Sequence, residues 1–183
     1  GWVTALGDTL DGVWQRLVDG ETGLVPVASP VKLRNTLAGA VPGVPVRLPE
    51  AQRLSLFAER AVVAAATHAG LGSLADVALV AGTSLGSTIE DGSAGASAYG
   101  WADVLAERLG MKRPPLVVST ACSAASDAIM TGACLVRSGA ARRCICGGAD
   151  VLSASKRLNH SALGTLSPTL LRAFDTRHDG MLI

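Results

Sequence analysis

Cys122 lies in the stretch Ser119-Thr120-Ala121-Cys122-Ser123-Ala124-Ala125-Ser126, between the apolar run Leu116-Val117-Val118 and a helix-compatible run from Asp127 to Arg137. That order places a thiol where a strand turns into a helix. The first amides of a helix have no intrahelical partner and sit at the positive end of its dipole. Both effects favour the thiolate, which is the nucleophilic form. The same amides can hold an oxyanion that forms on a bound carbonyl. Small residues on both sides leave room for a substrate to reach the sulfur. The chemistry this segment suggests is acyl transfer through a thioester.

The other reactive side chains carry less. Cys134 falls inside the same helical run, about three turns on, and reads as core, as free cysteines usually do. Cys144 and Cys146 alternate with Ile145, so on a strand they share a face. A two-thiolate metal site needs further ligands, and none stands at a suitable spacing, so these two also read as core. A thiol nucleophile needs a base or proton donor, and three histidines are present: His68, His160 and His178. His68 falls near a helix end and reads as surface, and the residue pattern promotes none of the three. Arg172, Asp175, Arg177 and Asp179 alternate in sign between Leu171 and Gly180. Asp side chains bonding nearby amides, with Arg–Asp pairs, would hold such a loop in shape.

The elements that must position these residues follow from hydrophobic spacing and punctuation. Leu10, Val13, Trp14 and Leu17 predict a helix from Asp8 to Val18, capped by Asp8 or Thr9. Residues 21 to 48, with four prolines, read as an irregular surface segment. Pro49 opens a second helix running to about Ala69. Val77 to Ala81 reads as a buried strand, and Gly82-Thr83-Ser84-Leu85-Gly86-Ser87 follows as a turn. That loop lacks the end of a phosphate-binding P-loop. Ser97 to Leu109 predicts a helix, Leu116–Val118 a strand, and Ser123–Arg137 a helix. Cys144-Ile145-Cys146 predicts a strand that Gly147-Gly148 break. Strands alternating with helices imply an α/β protein whose mainly parallel sheet is covered on both faces.

Composition bounds the rest. Half the chain is hydrophobic (49%) with only 3% aromatic, which predicts an interior of Ala, Val, Leu and Gly. The net charge is +1 and no basic run exists, so nucleic acid is not an expected partner. No stretch reaches the roughly 18 uninterrupted apolar residues of a spanning helix. Gly1-Trp2-Val3-Thr4 has no signal-peptide character, and four cysteines in an apolar chain of this size read as reduced thiols in the cytoplasm. The start without an opening strand, and the stop on the apolar Met181-Leu182-Ile183, read as a piece of something longer.

Four motifs now add to that reading. Val118-Ser119-Thr120-Ala121-Cys122-Ser123-Ala124 resembles the active-site motif of the β-ketoacyl-ACP synthases, the condensing enzymes of the thiolase superfamily. Gly139 to Asp150 resembles that family's strand ending in a glycine pair. Leu163-Gly164-Thr165-Leu166-Ser167-Pro168 and Arg172 to Gly180 look like its next two signature stretches. The order is the family's, and the resemblance is to elongating synthases and polyketide ketosynthases rather than to the initiating type.

The resemblance implies an α/β, thiolase-like fold, layered α-β-α-β-α, with residues 1–183 supplying the first of two duplicated halves. It implies that the C-terminal half is absent, and with it two histidines and a lysine. His68, His160 and His178 match none of those motifs. It makes Cys122 the acceptor of an acyl group from the phosphopantetheine arm of an acyl carrier protein. Malonyl carrier then loses carbon dioxide and its carbanion attacks the thioester, in fatty acid or polyketide biosynthesis. No cofactor or metal of its own is implied. The implied partners are the carrier protein and a complementary C-terminal half or subunit, in a dimer of synthase units. A thiolase-fold acyltransferase or decarboxylase without condensation, and a non-catalytic scaffold subunit, are the alternatives.

Overall fold

A computed structural model of the chain describes residues 1–86 and 99–183. They fall into two compact units: Pro49–Val151 with Gly1, and Trp2–Leu48 with Leu152–Ile183.

The first unit is built on a parallel three-stranded sheet. Strand β3 (Ala78–Gly82) lies at its centre, between β4 (Leu116–Val118) and β5 (Cys144–Gly148). Val80 is in register with Leu116 and Cys146, and Gly82 with Val118 and Gly148. All five β3 residues are buried, which suits a strand covered on both faces. Alternation sends Leu79 and Ala81 to one side. There they join Leu54, Ala58 and Val62 of helix α2 (Glu50–His68) and Trp101, Ala102, Leu105 and Ala106 of helix α3 (Gly100–Arg108) in one apolar cluster. Leu54 and Leu105 are almost wholly buried, each contributing about 1.5–3 kcal/mol. Pro49 is the N-cap of α2, which begins at Glu50, one position after the expected start. Helix α3 begins at Gly100; Ser97 and Ala98 of the expected helix, and Ser87 of the expected turn, lie outside the described residues.

The other face of the sheet takes helix α4 (Ala124–Arg137), whose inward residues Ala124, Ala128 and Gly132 are all small. The approach is closer than a side chain permits. A Cβ at Gly82 would overlap the Ala124 carbonyl, one at Gly148 would stand 2.7 Å from Ala125 Cβ, and one at Gly132 would run into Cys146 Sγ. Two expectations are corrected here. Gly147 and Gly148 do not break β5: they continue its ladder opposite Ala81 and Gly82, and at Gly148 the missing side chain admits the helix. Cys134 is not core. It is exposed with Ile129, Met130 and Val136, because α4 turns its small face to the sheet and its bulkier face outward. Cys144 and Cys146 do share a face, half-buried under Gly132.

The second unit opens with helix α1 (Leu10–Val18), preceded by Thr9 in extended geometry, with Val13 buried. Residues 21–48, expected to be irregular, contain an antiparallel pair, β1 (Leu24–Pro26) and β2 (Leu37–Gly39). Helix α5 (Ala154–Ala162) has no counterpart in the sequence reading. Its apolar content is too low to show a stripe; a buried arginine anchors it instead. Arg157, 3% exposed, donates to Val27 O, Ala28 O and Thr36 O at 2.9–3.0 Å. Ser153 Oγ caps the helix by accepting from Lys156 N. The tail adds a parallel bridge between Leu166 and Met181, and Gly39 N donates to Ile183 O at 3.0 Å. Among the described residues no helix is long and apolar enough to cross a membrane.

Candidate active site

Cys122 stands on a single 3-10 turn, Ala121–Ser123, set between the end of β4 and the start of α4, and its side chain is exposed. Strand-turn-helix geometry is what the sequence predicts for it. The turn is tight because Ala121 adopts φ +55°, a left-handed conformation that costs a non-glycine residue about 1–2 kcal/mol. Close contact of α4 with Gly82 and Gly148 then fixes where the helix, and hence the thiol, begins.

The turn narrows the expectation that the first helical amides are free. Ser123 N donates to Thr120 O at 3.3 Å and Ala124 N donates to Ala121 O. No described residue accepts from Cys122 N. That amide lies beside the sulfur.

Hydroxyls and carboxylates brace the turn on both sides. Downstream, Asp127 Oδ2 accepts from Thr120 Oγ1 and, at 2.8 Å, from Ser123 Oγ. These hydrogen bonds hold the Asp127 carboxyl below the usual carboxylate range, Thr120's contribution being the larger. Upstream, Ser119 Oγ donates to Ser84 O at 3.0 Å, while Asp150 accepts from Ser84 N at 3.0 Å and from Ser84 Oγ at 2.7 Å. Asp150 follows β5, Ser84 follows β3 and Ser119 follows β4, so one network ties together the loops at the carboxyl ends of all three strands. Thr83 and Ser84 are thereby engaged within the protein, as a structural turn requires. Sequence reasoning missed Thr120, Ser123, Asp127, Ser84, Ser119 and Asp150. The signal was a hydroxyl on each side of the cysteine and a carboxylate one helical turn further on, the i, i+4 spacing of neighbours on a helix.

The remaining candidates have surroundings of their own. Burial, and after it the neighbouring Cys144, push the Cys146 thiol up, which suits a packed side chain and not a nucleophile. No described group of His, Cys, Asp and Glu has a metal-site arrangement. His68 closes α2 at the surface and shares no hydrogen bond with the Cys122 turn among the described residues. In the second unit, His160 Nδ1 is 3.0 Å from Thr165 Oγ1, and His178 is exposed. The Arg–Asp loop there is held as expected. Arg177 grips Asp175 through Nε at 3.0 Å and Nη2 at 2.9 Å, and its amide donates to Asp175 Oδ1. The bidentate guanidinium lowers the Asp175 carboxyl to about 2.

With this geometry in view, a comparison with protein families is decisive: the family described as beta-ketoacyl synthase, N-terminal domain, matches residues 1–183. The chain belongs to the β-ketoacyl synthase family. No curated protein matches it. Among solved structures it is similar to a ketosynthase in complex with its chain length factor from Xenorhabdus doucetiae, at 27% identity and TM-score 0.72, covering 98% of this chain and 53% of that one. It is similar in fold to a beta-ketoacyl synthase from Burkholderia phymatum STM815, at 24% identity and TM-score 0.79, covering 98% and 54%. A ketosynthase from module 6 of the bacillaene synthase of Bacillus subtilis 168 shares the fold at 14% identity and TM-score 0.69, covering 91% and 33%. The fold is therefore the thiolase-like α/β fold of ketosynthases, and this chain spans about half the length of the first two.

Proposed function

We propose that this chain carries the acyl-accepting cysteine of a β-ketoacyl synthase, and that Cys122 is that residue. The observation that supports it best is an exposed thiol on the strained turn between a central-sheet strand and a helix, in a member of the condensing-enzyme family. In the reaction, Cys122 sulfur attacks the carbonyl of an acyl thioester. A new C–S bond forms, the old one breaks, and the departing phosphopantetheine thiol takes the proton. The Cys122 amide donates to the oxygen that becomes negative in between. Malonyl thioester then loses carbon dioxide, and its carbanion attacks the acyl carbon and expels Cys122 as thiolate. Thiolate is suited to both steps, as nucleophile and as leaving group.

The partners follow from this chemistry. An acyl carrier protein delivers both thioesters, and a complementary C-terminal half supplies the histidines that decarboxylation and condensation need. Two such synthase units pair as a dimer, and an acyl-accepting thiol suits the reducing cytoplasm. The deciding experiment incubates the assembled protein with acyl carrier and reads intact mass. One acyl adduct, mapped to Cys122 and lost in Cys122→Ala, is the expected result; acyl transfer that survives Cys122→Ala rejects the proposal.

A further inference from the structure

The conformation that presents Cys122 has a defined cause. Ala121 is left-handed, and no glycine there makes that conformation easy. Something has to hold it, and the hydrogen bonds identify what. Thr120 and Ser123 flank the Ala121-Cys122 pair, and both hydroxyls donate to one oxygen, Asp127 Oδ2. Ser123 has one proton to give. Thr120 O and Thr120 Oγ1 also lie within reach at 3.0 and 3.1 Å, but the carboxylate is nearer at 2.8 Å and charged. An acidic residue in a first helical turn ordinarily complements the dipole or caps forward amides. Here the helix has no side-chain cap bond at Ser123, and both partners of the carboxylate lie behind it, on the turn. Upstream the same turn is anchored through Ser119 to Ser84 and Asp150. Cys122 is thus suspended between two anchors, and Asp127 is the one that spans it.

We propose that Asp127 is the positioning residue of this site: by accepting from Thr120 and Ser123 it locks the left-handed turn that aims the Cys122 sulfur and amide at one bound carbonyl. The inference rests on the reading of Cys122 as acyl acceptor. It concerns geometry, not charge, and the two separate experimentally. Asp127→Asn removes the charge and keeps an acceptor oxygen. Thr120→Val with Ser123→Ala keeps the charge and removes both bonds. Asp127→Ala removes both.

The test measures the maximal rate and the half-saturating thioester concentration for self-acylation of the assembled protein by an acyl phosphopantetheine thioester. Hydrogen exchange of the peptide spanning residues 119–127 is followed in parallel. Displacement of a reacting group by about 1 Å costs up to 100-fold. Asp127→Ala and the Thr120→Val/Ser123→Ala pair should each lower the maximal acylation rate about 10- to 100-fold, with the half-saturating concentration changed less than about twofold. Asp127→Asn should recover most of the rate. Adding Asp127→Ala to the pair should cost nothing further, since all three groups act as one unit. Rates that follow charge would overturn the proposal: Asp127→Asn as slow as Asp127→Ala, with the hydroxyl pair at the wild-type rate. If Asp127→Ala fails to fold, the hydroxyl pair and Asp127→Asn carry the same contrast. If the wild-type protein forms no acyl-enzyme, the proposed reaction falls and exchange decides the positioning. Faster exchange in the hydroxyl pair but not in Asp127→Asn supports it, and unchanged exchange in both rejects it.

Discussion

A single methyl group decides whether the Cys122 turn can form where it does. Gly82 ends β3 directly beneath the Ala124 carbonyl, and a Cβ there meets backbone, which cannot rotate away. Gly82→Ala should therefore cost about 1–3 kcal/mol, the usual penalty of overpacking, read as a lower urea midpoint of the assembled protein. An unchanged midpoint would mean that the helix is not seated on the strand as described. Asp175 is set apart by its ion pair with Arg177. Its folded value, about 2, lies below the ordinary 3.8 because Arg177 grips it at both oxygens. A depressed carboxylate contributes stability that is present above the unfolded value and lost as pH falls through the folded one. The 172–180 loop should thus hold at pH 5 and weaken from about 3.8 towards 2. Carbon-13 NMR of the Asp175 carboxyl should show the low value, returning towards 3.8 in Arg177→Ala; a wild-type value near 3.8 would exclude the pair.

At the scale of elements, the sheet and its helices were legible because their signals are local. Leu116-Val117-Val118 and Val77 to Ala81 are uninterrupted apolar runs, as buried parallel strands are, and Leu54, Ala58 and Val62 recur at helical spacing. Cys122 was legible for the same reason, as a thiol between two such runs. What failed depends on partners distant in sequence. Helix α5 rests on Arg157, whose acceptors lie about 120–130 positions away, and Cys134 was misplaced because composition does not say which side of α4 meets the sheet. Gly147 and Gly148 looked like a stop and instead continue β5, with Gly148 against the helix. The brace around Cys122 stayed hidden because Ser84, Ser119 and Asp150 meet only once three strands align. The contact between α4 and β5 can be tested directly. Gly132→Ala would drive a methyl into Cys146 Sγ and should cost about 1–3 kcal/mol. Cys146→Ala removes the sulfur, so the double variant should recover much of that loss in urea unfolding, a coupling expected only of touching residues. Strictly additive losses would mean that the two do not meet.

At the scale of the molecule, the outward faces say most about the protein in action. In the first unit α4 exposes Ile129 (56%), Met130 (66%) and Val136 on the helix that begins at the catalytic candidate. In the second unit α1 exposes Leu10, Trp14, Leu17 and Val18 along one helical side. Contiguous apolar surface of this kind marks an interaction site or an aggregation liability, and the matched ketosynthases have about twice this chain's length. The 183-residue chain expressed alone should therefore self-associate, and co-expression with a complementary half should give a discrete soluble particle by size exclusion with light scattering. Met130→Glu tests that surface in both settings. It should reduce self-association of the chain alone. It should also weaken assembly at least about tenfold, because a charge replaces a side chain whose burial is worth about 1.5–3 kcal/mol. A monodisperse monomer from the unmodified chain, or assembly indifferent to Met130→Glu, would show that α4 does not meet the second half through this face.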